Sequence, residues 1–405
     1  MRPEQIDPYR TTLDTRVLAL RHAPSGTWVA LQESLFYPTS GGQPFDTGVI
    51  AFAGREARVV DVAAAGPEAV LHRVEGAVPR QGEVVTCRID WPRRYRHMQR
   101  HSAQHLLSQA FVRVSPTFET TSVSLEAPDA TLDLAGAPDA DAVAEAFALA
   151  RDWGYANLQV DAFEVDEAEL DRWPLRRPPK VSGRVRLVRM GEVELAACGG
   201  THLARTAEAL PLLPLGTKRV RGGATRVTFR AGLEAGERAE ATVRMTEALA
   251  QSFSSRWDEL PDRVAGLRDA LGSAERAAAE ARAAWADAAV RQAAAETGAG
   301  EGPRVLRRVV EDPALLEALA TACAAHAPDA VALLAAREAQ RVTLLFQAGP
   351  DAGVDVRPLL DAALPAVQGR GGGRPDRAQG AGHEPAGLDA ALTAARAALR
   401  GEANG

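Results

Sequence analysis

The chain has 405 residues, a formal net charge of −6, 46% hydrophobic residues and 25% charged residues, the balance of a globular protein with enough apolar material for several cores. No apolar run approaches the roughly 20 residues that cross a bilayer, and the start, Met1–Asp7, lacks the basic-then-hydrophobic order of a secretory signal. Three cysteines cannot build a disulfide framework, which fits a reducing cytoplasm, and the acidic total argues against a uniformly basic nucleic-acid binder without excluding local patches. Of the 47 Lys+Arg only Lys180 and Lys218 are lysine, so a phosphate contact here would mostly be a forked guanidinium.

In chain order, residues 1–92 read as a β-rich, barrel-like domain. Short alternating or β-branched runs recur at Arg16–Leu20, Thr27–Gln32, Ala57–Val62 and Val84–Ile89, with Gly and Pro between them. Residues 93–232 read as one α+β domain. Its first helix, at about 93–118, has Leu106, Leu107, Ala110 and Phe111 on one side; strands at Thr120–Leu125 and Thr131–Leu134, a helix at about 140–155 and further strands up to Phe229 follow. Residues 233–298 read as a long helical, coiled-coil-like segment, because Met245, Leu249, Phe253, Trp257, Leu260, Val264, Leu267 and Leu271 recur every three or four positions. Pro261 starts a second helix there or kinks the first, and 13 of the 22 residues from Ala274 to Ala295 are alanine, the best helix former. After a Gly-rich linker at 298–303, residues 304–405 read as a small α/β domain with strands at Val305–Val310, Ala330–Leu334 and Val342–Gln347. The fold class is α+β.

Three motifs carry chemistry. In His101-Ser-Ala-Gln-His105 two imidazoles stand four apart, on one face of a helix, where both can reach one metal ion. His97, a turn earlier, shares that face and competes for the role. In Cys198-Gly-Gly-Thr-His202 two glycines let a thiolate and an imidazole converge. Together these offer four ligands of the types zinc prefers. The third motif, Tyr37-Pro-Thr-Ser-Gly-Gly-Gln-Pro-Phe-Asp-Thr-Gly48, is a turn whose polar groups and backbone could also line a cleft. Cys323 and His326, three apart on a helix with apolar neighbours, read as packing, and so does Cys87 in a strand.

Three blocks resemble the editing region of alanyl-tRNA synthetases and of the freestanding alanyl-tRNA editing proteins: Ser40-Gly-Gly-Gln-Pro44, Arg100-His-Ser-Ala-Gln-His-Leu-Leu107 and Ala197-Cys-Gly-Gly-Thr-His202. A fourth, Gly371-Gly-Gly-Arg-Pro-Asp-Arg-Ala-Gln-Gly380, resembles the glycine-rich end of the synthetases' C-terminal domain, and its run Gly369–Arg374 reads as a loop. The resemblance implies a hydrolase that removes serine, with glycine as a second substrate, from tRNA(Ala) in trans. It implies one zinc per chain on His101, His105, Cys198 and His202. Thr120, Thr121 and Ser122 fall where the family places a serine-recognising hydroxyl, and Glu194 where relatives carry an acidic residue. Gly41, Gly42, Gln43, Arg100, Lys218, Arg219, Arg221, Arg370 and Arg374 are the expected tRNA contacts, and the helical segment is an expected homodimer interface. The stretch after His202 departs from the family's glycine-containing pattern.

Chemistry agrees with this reading but adds a tension. Ester hydrolysis needs delivered water and a stabilised oxyanion, yet four protein ligands close a tetrahedron that hydrolytic zinc usually leaves open. Basic runs at 172–189, at 216–230 and at Arg93–Arg100 suit RNA phosphates. Three rival readings exist: an alanine–tRNA ligase, rejected because about 90 residues precede the histidine helix; a zinc-stabilised tRNA-binding module without catalysis; and a metallohydrolase acting on another ester or nucleotide.

Overall fold

The computed structural model describes residues 1–66, 69–177, 183–296 and 304–401, so Lys180 and the linker at 298–303 lie outside the described residues. There are two units, Met1–Leu249 and Ala250–Gly405.

In the first unit a short helix, α1 (Pro3–Ile6), precedes six strands: β1 (Thr12–Ala23), β2 (Gly26–Leu31), β3 (Gly48–Phe52), β4 (Arg55–Ala64), β5 (Val70–Gly76) and β6 (Val84–Ile89). Alternation along β1 sends Leu13, Thr15 and Val17 inward. The strands close into a barrel in the order β1-β2-β5-β4-β3-β6, with Val17, Val29, Ile50, Val59, Val85 and Cys87 in its core. Sequence reading missed β3 and β5, the first because glycine and turn residues precede it.

The helix α2 (Trp91–Val114) starts where the Asp90 carboxylate accepts from the Arg93 N–H. It stops before the expected end because Ser115 precedes a proline and is extended. Next come β7 (Thr120–Ser124), β8 (Ala130–Leu134), α3 (Ala140–Tyr155), β9 (Val160–Asp166), β10 (Arg184–Met190), β11 (Glu194–Ala197), β12 (Leu212–Arg219), β13 (Thr225–Ala231) and α4 (Gly232–Ser252). The strands form two sheets, β11-β10-β9 and β12-β13-β8-β7. One core joins Leu106, Leu107 and Phe111 of α2 to Leu132 of β8, Phe147 of α3 and Phe229 of β13. It fixes α2 along its length, and α2 carries the histidines.

The second unit corrects the single seam expected from the sequence. The helical pattern breaks after α4: Ser254 is left-handed at φ 50, and α5 (Leu260–Glu296) begins next to Pro261. The proline therefore opens a second helix, as its fixed φ favours. Ala286, Ala289 and Val290 of α5 pack with β14 (Arg304–Val310) and α6 (Leu315–His326). Then follow β15 (Ala330–Arg337), β16 (Val342–Ala348), α7 (Arg357–Ala363), β17 (Arg370–Arg374), β18 (Arg377–Gly382) and α8 (Leu388–Leu399). The sheet order is β14-β15-β16-β18-β17, parallel at β14/β15 and antiparallel elsewhere. A second correction falls on the glycine run, expected to be a loop. It is the edge strand β17, paired from Arg370 to Arg374 with β18. A Cβ at Gly371 or Gly373 would press into the β18 backbone, so glycine permits a close strand pair. Cys323 is core, and His326 Nε2 lies 3.2 Å from Asp287 Oδ1.

Candidate metal centre

The histidine helix meets the Cys198 loop inside the first unit. His101, His105, Cys198 and His202 each present one ligand atom, and these atoms lie within 4.8 Å of one another. Cys198 Sγ is 3.4 Å from His101 Nε2 and 3.2 Å from His202 Nε2. Among the described residues His97 is not part of the cluster; it is buried, and burial with the Arg93 charge pulls its pKa down to about 3.

What turns the imidazoles inward is a set of anchors on their Nδ1 atoms. His101 Nδ1 is 2.8 Å from Gln43 Oε1, and the same oxygen accepts from the Thr201 N–H at 3.1 Å while Gln43 Nε2 donates to Thr201 Oγ1 at 2.7 Å. His202 Nδ1 is 3.2 Å from Ser102 Oγ, which accepts from the Leu203 N–H. His105 Nδ1 is 3.3 Å from Glu194 Oε1, and that carboxylate is held by Arg176 Nε at 3.2 Å. At His101 and His202 such an anchored Nδ1–H fixes the tautomer that leaves Nε2 as the donor to a metal, while at His105 the carboxylate stands close to Nδ1 without a hydrogen bond.

Local backbone makes this geometry reachable. Gly41 and Gly42 have φ +57 and +84, a region L side chains avoid. The Ser40–Gln43 backbone pair closes that turn and delivers the Gln43 side chain into the interior. At Gly200 a Cβ would run into the His101 ring.

The electrostatics match the donor chemistry of a metal site. Burial raises the Cys198 thiol, but His101, His202 and His105 outweigh it and hold the pKa well below the ordinary thiol value. Burial lowers His105, but Cys198 and Glu194 outweigh it and raise it to about 9; burial and His101 lower His202 to about 3. The thiolate form is thus favoured among the imidazoles, a negative donor that suits a cation. One thiolate and three imidazoles fit zinc.

Beside the cluster lies a cavity of about 420 Å³, lined among others by Tyr37, Gly41, Gln104, Arg176, Arg177 and the Cys198–Gly200 strap. None of Thr120, Thr121 and Ser122 is on its wall. Thr120 Oγ1 donates to Ser108 Oγ at 2.7 Å, Thr121 Oγ1 donates to the Asp133 carbonyl, and Ser122 is exposed. The wall does carry the uncharged amide of Gln104, whose Nε2 donates to that same Ser108 oxygen at 2.9 Å. Sequence reading passed over Gln104, although its place beside His105 on the histidine face was a signal.

The basic residues sort unevenly. Arg100 turns inward, which corrects its reading as an RNA contact. It is buried, its Nε and Nη2 each 2.6 Å from the Glu234 carboxylate and its Nη1 donating to the Leu125 carbonyl. Gln43 is likewise fully buried. Lys218, Arg219 and Arg221 are exposed, Arg219 donating to the Gly136 and Gly223 carbonyls. Arg370 and Arg374 are exposed on β17.

Comparison with known proteins sets this geometry in a family. The model for tRNA synthetases class II (A) matches residues 13–93, the span of the barrel; that for the threonyl and alanyl tRNA synthetase second additional domain matches 185–228; and the DHHA1 domain matches 303–401. The alanine–tRNA ligase of Pyrobaculum calidifontis is 32% identical over 386 residues, 92% of this chain and 41% of that protein. That of Thermococcus kodakarensis is 33% identical over 264 residues, 63% of this chain and 28% of that protein. The crystal structure of the C-Ala domain from Aquifex aeolicus alanyl-tRNA synthetase matches at 22% identity and a TM-score of 0.24, covering 25% of this chain and 97% of that one. The chain spans about two fifths of the length of the first of these ligases, and it belongs to the alanyl-tRNA synthetase-related family.

Proposed function

We propose that the chain is a zinc-dependent hydrolase that removes serine, and glycine as a second substrate, from mischarged tRNA(Ala) in trans. The observation that carries this reading is the thiolate and three imidazoles beside a cavity in a chain whose residues 185–228 match the second additional domain. His101, His105, Cys198 and His202 would hold the ion, which when bound supplies a Lewis acid and a lowered pKa for coordinated water.

The chain's own residues do the rest. Gln43, Ser102 and Glu194 orient the ligands; Arg177, exposed at the cavity, suits a phosphate near the ester. The hydroxyl relay Thr120–Ser108–Gln104 places an amide on the wall where a seryl hydroxyl can be hydrogen-bonded, a contact that an alanyl group cannot make. Outside the site, Lys218, Arg219, Arg221, Arg370 and Arg374 are exposed cations suited to the tRNA backbone.

The test is deacylation of seryl-tRNA(Ala) by the full chain with and without chelator, beside a His101→Ala, Cys198→Ala double variant. Chelation and the double variant should each abolish turnover, and metal analysis should fall from one zinc per chain to none. Stoichiometric zinc in the double variant would sink the ligand assignment, and tRNA binding without turnover in the zinc-loaded chain would leave only a binding module.

A further inference from the structure

Arg186 lies in a run of basic residues, a pattern that marks solvent-facing cations, yet its side chain is buried. No carboxylate lies within ion-pair distance of it among the described residues. A buried guanidinium without such a partner is costly unless other groups satisfy it. Those groups are carbonyls of the strap that carries the thiolate. Arg186 Nη1 donates to the Cys198 carbonyl at 2.8 Å and to the Gly200 carbonyl at 2.9 Å. The carbonyl between them, on Gly199, accepts from Gln5 Nε2 at 2.8 Å. Gln5 is tied back to the same arginine, its own carbonyl 3.2 Å from Arg186 Nη2, and its Oε1 accepts from the Arg2 N–H. Three consecutive carbonyls are thus each captured by a side chain, and the Cys198 N–H donates to the Arg186 carbonyl. Two of the three strap residues are glycines, which bring no side-chain packing to set the loop's conformation.

We infer that Arg186 and Gln5 are positioning residues that clamp the Cys198–Gly200 strap and so set the direction of the Cys198 thiolate toward the imidazoles. This rests on the metal reading above, but it goes further: the clamp lies outside the ligand set and draws on the segment before the barrel. The orientation of a ligand by its supporting hydrogen bonds is typically worth about 10- to 100-fold in metal affinity. Arg186, which holds two carbonyls, should matter more than Gln5, which holds one.

Cobalt(II) titration of the full chain tests this, because the near-ultraviolet thiolate-to-cobalt band reports whether the sulfur is a ligand. The unsubstituted chain should saturate with a strong band. Arg186→Gln should weaken affinity by about 100-fold and shift or diminish the band, and Gln5→Ala should weaken it by about tenfold. Arg186→Lys should recover only part of the loss, since a lone ammonium lacks the second nitrogen by which the fork also holds the Gln5 carbonyl. Melting of the metal-free proteins controls for folding. Gln5→Ala removes two hydrogen bonds of a half-buried side chain, so it keeps the inference exposed even if Arg186→Gln does not fold. Affinity and band equal to those of the unsubstituted chain in Gln5→Ala and either Arg186 variant would overturn the clamp while leaving the metal reading intact. A missing thiolate band in the unsubstituted chain would instead overturn the metal reading.

Discussion

A single buried imidazole shows how much a side chain's surroundings decide at the residue scale. His72 sits inside the barrel, its Nδ1 2.9 Å from the Val29 carbonyl and its Nε2 2.7 Å from Ser34 Oγ. Burial lowers its pKa from 6.5 to about 4. Folding therefore keeps it neutral where the unfolded chain would be protonated. The contribution is whole above pH 6.5 and is lost as pH falls toward about 4. Between pH 7.5 and 5 this one residue should cost about 2 kcal/mol of stability. Denaturant melts of the unsubstituted chain and His72→Asn at the two pH values should differ in their pH dependence by that amount; equal dependences would show that His72 does not stay neutral. The same logic separates what was legible at the metal centre. His101, His105, Cys198 and His202 were readable because ligand type and short spacing travel together in the sequence. Gln43 was assigned to RNA, and Ser102 and Arg186 to nothing in the site. Their roles appear only when chain segments 58, 100 and 14 positions apart close on one another.

Elements were legible where period was clear and misread where composition stood in for direction. The apolar face of α2 places the helix within a few residues, but its basic run reads as suited to RNA phosphates. In fact Arg94 is buried against Asp46 and Arg100 against Glu234, because α2 is enclosed by the barrel on one side and the α4 start on another. A charge run does not say which member points inward; in β10, exposed Arg184 and Arg189 bracket buried Arg186. The Arg100–Glu234 pair joins α2 to α4, and removing one partner strands a buried charge. Glu234→Gln should therefore destabilise the first unit by about 3–5 kcal/mol. Glu237→Gln, which breaks the exposed Arg96–Glu237 pair, should cost no more than about 1 kcal/mol. Equal costs in chemical denaturation would show that the buried pair is not structural. The glycine strand β17 teaches the converse: glycine read as loop because it lacks a side chain, and that lack is what lets β17 and β18 approach.

The two units pose questions about the whole molecule that their separate folds frame differently. On α5, Val264, Leu267 and Leu271 are exposed at helical spacing, and we expect a second copy to cover them. Light scattering at micromolar concentration should give a dimer mass, and Leu267→Glu with Leu271→Glu should return a monomer; a monomeric unsubstituted chain removes the dimer. The second unit holds none of the clustered metal ligands, so its expected contribution is binding rather than chemistry. Its edge strand presents Arg370 and Arg374 to solvent, Arg374 lying 3.4 Å from the exposed Asp376, an exposed pair that a phosphate can readily replace. Arg370→Ala with Arg374→Ala removes two cations without cutting the chain or touching a packed side chain. The apparent KM for mischarged tRNA should rise several-fold while kcat at saturation holds, as expected when an interaction is equal in ground and transition states. The slope of log affinity against log salt should flatten by roughly 1 to 2, since up to two fewer phosphates are neutralised. A fall in kcat instead would tie β17 to the reaction itself, and an unchanged KM with an unchanged salt slope would remove β17 from the tRNA surface.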